Sequence, residues 1–147
     1  MATGSVDIKR YTDIGDNITI ISGDTLLMRR DGNVGKKVTF YSSSGIEINN
    51  GIVLGSGAGA GEGVVLLSPG VIEAGNSVTI TGFIFGDEVT IGRDLTLTGN
   101  LAGNELIFLD RGGVIIEDST KVDFGSIQGL GSGSGASVSI SSWNEIF

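Results

Sequence analysis

The chain has no cysteine, no histidine and a single proline among its 147 residues. Each absence removes a class of chemistry. Without cysteine there is no disulfide, thiol nucleophile or thiolate metal site, and without histidine no Cys/His zinc centre and no Ser-His-Asp triad. The fold must be held by packing, backbone hydrogen bonds and subunit contacts. Aromatic side chains are also scarce, with one Trp and two Tyr, which leaves little for the stacking platforms of a sugar-cleaving cleft. No run approaches the ~20 apolar residues that span a bilayer. The opening "MATGSVDIKRYTDIGDN" lacks the apolar centre of a secretory signal. The expectation is a product made in the cytoplasm, with no membrane partner.

What the sequence does have is glycine, 26 residues of it, within an ordinary 39% of hydrophobic residues. The apolar residues are mainly Val, Ile and Leu in short runs beside Thr and Ser, a vocabulary suited to pleated, half-buried surfaces. Runs such as "NITIIS", "KKVTFYSS", "VVLLS", "SVTIT" and "DLTLT" are bounded by Gly, Asn, Asp or Ser, the pattern of strands and turns. Helical periodicity is hard to find. The length suits one domain with a continuous core.

Charge is unevenly placed. Residues 1–37 carry Lys9, Arg10, Arg29, Arg30, Lys36 and Lys37, six of the nine basic residues, against five acids. That segment is therefore about +1 and the rest about −9, which together make the net charge of −8. The split marks these six residues as candidates for docking on an acidic partner, with an acidic body left in solvent. Six scattered cations that merely solvate two strands are the plainer alternative. An acidic chain without a sustained basic face is not expected to bind nucleic acid.

Two regimes follow along the chain. In the first, "TLLMRRDGNVGKKVTFYSS" reads as a hairpin, two strand-like arms joined through the turn pair Asp31-Gly32. In the second, Ser77-Val-Thr-Ile-Thr-Gly82 recurs as Asp94-Leu-Thr-Leu-Thr-Gly99, 17 residues later. At the same offset Gly86-Asp-Glu-Val matches Gly103-Asn-Glu-Leu, and Ile84 matches Leu101. A step of that size, with short strands between glycine corners, suits one coil of a β-solenoid. Val78, Ile80, Leu95 and Leu97 would then point inward as stacked rows. The alternative is an antiparallel β-sandwich or jelly roll whose strands share a common vocabulary. The expectation is a single all-β domain over 1–147. Residues 1–45 would form a docking and hairpin region, and 64–147 a repeat-like β region. "GSGAGAGEG" (Gly55 to Gly63) and "GLGSGSGAS" (Gly129 to Ser137) read as connections between coils or as hinges.

No motif names a reaction. Gly55 to Gly63 superficially satisfies a dinucleotide fingerprint, but a strand-like "VVLLSPG" follows where a helix should open, and no P-loop lysine is present. The carboxylate pairs Asp87/Glu88 and Glu117/Asp118 are adjacent on strands, so each pair points to opposite faces beside a turn. Neither the EF-hand pattern nor a repeated Gly-Gly-x-Gly-x-Asp motif occurs. No enzyme, cofactor or metal site is expected. The C-terminal "SVSISSWNEIF" gathers Trp143, Ile146 and Phe147 behind a glycine-rich spacer. Those side chains either cap the chain's own core or insert into a neighbouring subunit, since large aromatics anchor interfaces well.

The opening segment, followed by compact glycine-rich strands, resembles the small virion proteins of tailed bacteriophages. That resemblance implies a non-enzymatic capsid decoration (cement) protein, or a small spike or fibre subunit. Such a protein would be a homotrimer on the virion surface with a major capsid protein as partner. "GDEVTIGRDLTLTGNLAGNELIFL" resembles bactofilins over about Gly75 to Leu130, which implies a cytoskeletal β-solenoid filament in the bacterial cytoplasm. The hairpin-like first 45 residues depart from a bactofilin's uninterrupted coils. A carbohydrate-binding module is the third expectation.

Overall fold

The computed structural model describes residues 2–109 and 114–123. It is an all-β solenoid of about six coils, and every pairing between its strands is parallel. An antiparallel sandwich is thereby excluded. The first coil contains β1 (Val6–Ile8), β2 (Asp13–Ile14) and β3 (Thr19–Ser22). The second contains β4 (Thr25–Met28), β5 (Asn33–Val34) and β6 (Thr39–Ser42), and the third β7 (Gly45–Ile48), β8 (Val53–Leu54) and β9 (Val64–Leu67). Beyond β10 (Val71–Ala74) the strands merge into β11 (Thr79–Ile91) and β12 (Thr96–Phe108), followed by β13 (Val114–Glu117).

Stacking produces three faces. Face A runs β1, β4, β7, β10 and then the ends of β11 and β12. Face B runs β2, β5, β8, the starts of β11 and β12, and β13. Face C runs β3, β6, β9 and the middles of β11 and β12. Alternate residues of each strand point inward. The core is therefore a set of vertical rows, such as Leu26, Ile46, Ile72 and Val89 on face A, all essentially solvent-free. Val78, Ile80, Leu95 and Leu97 are buried as the repeat predicts, with Ile80 directly beside Leu97 in parallel register.

The 17-residue repeat is the register itself: Ile84 pairs with Leu101 and Gly86 with Gly103. Earlier coils are longer. The step is 20 residues between Asp13 and Asn33, and 26 between Asn50 and Asn76. The larger step holds Gly55 to Gly63, which forms a corner between faces B and C. Its fold is fixed by Glu62, whose carboxylate accepts from the Gly59 amide at 2.9 Å and pairs with Lys36 at 3.1 Å.

The expected N-terminal hairpin is absent. Its two arms, β4 and β6, lie on different faces and pair in parallel with neighbouring coils. The reason is local. A two-residue hairpin turn of type I′ needs two successive residues with positive φ, whereas only Asp31 of the Asp31-Gly32 pair has it, at 59°. One such residue turns a corner instead. Tyr11, Asp31, Gly51, Ser77 and Asp94 occupy the same position in successive coils, all with φ between 55° and 74°. Their amides bond the coil ahead, as from Tyr11 to the Arg30 carbonyl at 3.3 Å and from Ser77 to the Arg93 carbonyl at 2.8 Å. Residues 2–45 are thus coils of the same solenoid.

The corner between faces C and A is polar inside. Ser22, Ser42 and Ser68 are buried there, and each hydroxyl accepts from an amide two or three residues on: Asp24, Gly45 and Gly70 respectively. Among the described residues no buried side-chain nitrogen or oxygen lacks a hydrogen-bond partner.

Candidate functional site

Among the described residues no three Asp or Glu side chains gather to hold a metal ion. Among the described residues the candidate features lie on the corners and faces of the solenoid. The six candidate docking residues fall on two corners. Lys9 and Arg10 lie beside Arg29 and Arg30, one coil apart, on the corner between faces A and B. Lys36 and Lys37 lie on the corner between faces B and C.

Three of these six cations are ion-paired within the chain. Arg29 grips Asp7 with two bonds, Nε to Oδ1 at 2.9 Å and Nη2 to Oδ2 at 3.0 Å, while the Lys9 ammonium adds a third at 2.8 Å. Arg29, then Lys9, hold the Asp7 carboxyl down at about 2, below its usual 3.8. Lys36 pairs with Glu62, whose pKa is lowered first by the Gly59 amide and then by Lys36. Arg10 lies over the Tyr11 ring, 5.3 Å from its centroid. Arg30 and Lys37 make no ion pair among the described residues and project from exposed corners.

The acids concentrate on the outside of face A. Glu47 stands directly beside Glu73, and Glu88 beside Glu105. Like charges set opposite each other across strands are destabilising, so this face costs the fold something while giving it an anionic side. Asp87 sits at an exposed corner and accepts from the Asn104 amide at 2.5 Å. Asp118 accepts from the hydroxyl and amide of Thr120, which lower its pKa. Neither carboxylate pair singled out in the sequence, Asp87/Glu88 or Glu117/Asp118, forms a facing pair.

Face C differs from face A in carrying no charge on its outer side. Ile21, Tyr41, Leu67, Phe85 and Ala102 form an outward row through paired positions. Ile21, Tyr41 and Phe85 are 36%, 37% and 46% exposed. The adjoining row is covered in its middle. Val65 and Phe83 are each only 3% exposed, because Val122 packs on them from outside. After β13 the chain thus turns back over face C. Gly61 donates to the Thr120 carbonyl at 2.7 Å and Gly63 to the Lys121 carbonyl at 2.6 Å. A hollow of about 400 Å³, lined by Phe85, Ala102 and Asn104 among others, extends the row toward the corner with face A.

The first coil presents an open edge. β1, β2 and β3 each pair on one side only among the described residues, apart from a single bridge from Ala2 to Ser22. Val6, Ile8, Ile14 and Ile20 head the core rows and stay half-buried.

Sequence reasoning singled out the cations and did not anticipate face C or the first-coil edge. The available signal was a second, 20-residue repeat, Asp13-Ile14-Gly15 returning as Asn33-Val34-Gly35. The candidate oligomer contacts Trp143, Ile146 and Phe147 lie outside the described residues. No family model matches this chain, and neither does any curated protein or solved structure.

Proposed function

We propose that this protein is a non-enzymatic structural subunit, a stiff β-solenoid rod that joins a larger assembly through the end made by its first coil. The observation that carries this is the edge of that coil, whose strands pair on one side only among the described residues. Unpaired strand edges are templates for further pairing, and the terminal units of a repeat array need a cap or a neighbour. Here the edge lies over four half-buried apolar side chains, Val6, Ile8, Ile14 and Ile20. A second surface of the same kind would complete both the ladder and the rows.

Two assemblies fit this end. Stacked on further copies it yields a filament of the bactofilin kind, a reading supported by coils that run without interruption through residues 2–45. Docked on a particle it yields a virion decoration or spike subunit, carried as a homotrimer on a major capsid protein. For this second reading the supporting observation is the pair of cation doublets, Lys9-Arg10 and Arg29-Arg30, on a corner at the same end. Electron microscopy and light scattering of the purified chain, beside an Ile14→Asp variant, separate the readings. Filaments that disappear in the variant support end-to-end stacking. Discrete trimers that survive it support the virion subunit. Monomers in both proteins at every concentration remove self-assembly.

A further inference from the structure

We infer that the hollow at the corner between faces C and A is a binding site for a neutral oligosaccharide, seated on the ring of Phe85 and held by Asp87 and Asn104. The hollow lies on the later coils, away from the first-coil edge, and does not depend on how that edge is used. Its volume of about 400 Å³ falls within the ~300–1,000 Å³ of small-ligand sites. Three successive coils build it: Pro69 comes from the turn before β10, Phe85 and Asp87 from β11, and Ala102 and Asn104 from β12. The Asp87 amide donates to the Gly70 carbonyl at 2.9 Å, tying two of these coils together at the site. Strands in fixed register place the side chains more firmly than a loop would, so the site is formed before any ligand arrives.

Phe85 supplies the platform. In the outward row of face C it stands between Leu67 and Ala102, and the alanine methyl is too short to cover the ring on that side. The ring stays 46% exposed, steadied by Phe83, which stacks on it with centroids 6.4 Å apart. An apolar ring beside polar groups suits the C–H face of a pyranose. Those polar groups form a fixed pair. Asn104 Nδ2 donates to Asp87 Oδ1 at 2.5 Å, which orients both side chains. The second carboxylate oxygen, the amide oxygen and the other amide N–H can then serve a ligand. Sugar hydroxyls both donate and accept, and so use this mixed set in full. A cation, which only donates, has no use for the amide N–H. An anion would meet Asp87 and, next along face A, the Glu88–Glu105 pair, a like-charge contact that disfavours it.

The test is an NMR titration of the full, isotope-labelled chain with maltotriose, cellotriose and chitotriose, with trigalacturonic acid and trilysine as charged comparisons. At least one neutral trisaccharide at millimolar concentration should move the backbone amide signals of Gly86 and Gly103, which line the hollow, in a saturable way. The charged probes should not. Phe85→Ala and Asn104→Ala should each weaken that binding roughly tenfold. Ala102→Phe, which fills the hollow, should abolish it, and Tyr11→Ala on the first coil should leave it unchanged. Far-UV circular dichroism confirms the fold of each variant. No saturable shift with any of the three neutral sugars would overturn the inference. So would equal shifts with trilysine or trigalacturonic acid. Undiminished binding in the Phe85 or Asn104 variant would overturn it too, and Ala102→Phe decides the matter if either of those fails to fold.

Discussion

Gly82 and Gly99 offer the sharpest probe of the fold. Both sit where the 17-residue coils pass from face B to face C within one continuous strand, with φ of 153° and 142°. A Cβ at Gly82 would overlap the Val64 carbonyl oxygen, and one at Gly99 would overlap the carbonyl oxygen of Gly82 itself. Backbone on an adjoining coil cannot swing aside as a flexible side chain can. Gly82→Ala therefore combines two penalties. A glycine-only backbone region costs about 1–3 kcal/mol, and forced overpacking about 1–3 kcal/mol more. The sum, about 2–6 kcal/mol, is a large share of the ~5–15 kcal/mol that holds a domain together. Two other glycines calibrate the scale. Gly57 has φ of 70° but only the end of Lys36 nearby, at 3.9 Å, so Gly57→Ala should cost about 1–2 kcal/mol from φ alone. Gly4 has open space and no unusual φ, and Gly4→Ala should stay within ~0.5 kcal/mol of the parent. Urea unfolding followed by far-UV circular dichroism reads the series as graded midpoints. A Gly82→Ala protein as stable as Gly4→Ala would mean that no close kink exists there, and the coil geometry would be wrong.

Leu97→Asp should unfold the chain outright, because a carboxylate placed in a sealed row without a partner costs upward of about 4 kcal/mol; soluble, folded protein by circular dichroism would contradict the inward row. Acid should release the tie between the first two coils only below the ordinary carboxylate range. Asp7 titrates below its unfolded value of 3.8, at about 2, so its link to Arg29 and Lys9 is intact at neutral pH and is lost as pH falls through that window. An NMR titration of the Asp7 carboxyl should show the low midpoint in the parent and a higher one in Arg29→Gln. Identical midpoints would show that Arg29 does not hold it.

The later half of the solenoid was legible because its coils are equal in length, so Ser77–Gly82 and Asp94–Gly99 align by eye and then pair in the fold. The first half was not, because Asp31-Gly32 has the composition of a hairpin turn. Only backbone geometry distinguishes one left-handed residue, which turns a corner, from two, which reverse the chain. Corner positions also change residue type from coil to coil: Tyr11, Asp31, Gly51 and Ser77 share a conformation without sharing a letter. The charge split singled out six cations that the fold distributes over two corners of the first coils. That Asp7 and Glu62 would neutralise Arg29 and Lys36 was not visible, since each pair spans a coil and becomes local only after stacking. Face C escaped notice because alternation in "TFYSS" and "GFIFG" reads as core on both sides, its outward members Tyr41, Phe83 and Phe85 being as apolar as the inward ones.

The loop from Gly55 to Gly63 carries a consequence for how such a molecule changes over time. It lengthens the third coil's circuit, yet Ile46 still meets Ile72 in unbroken register on face A. Girth and height are thus written in separate parts of the chain. Corners can gain or lose residues without disturbing the rows, while whole coils add length without altering the cross-section. The corner between faces B and C is accordingly the natural place for foreign sequence to be grafted.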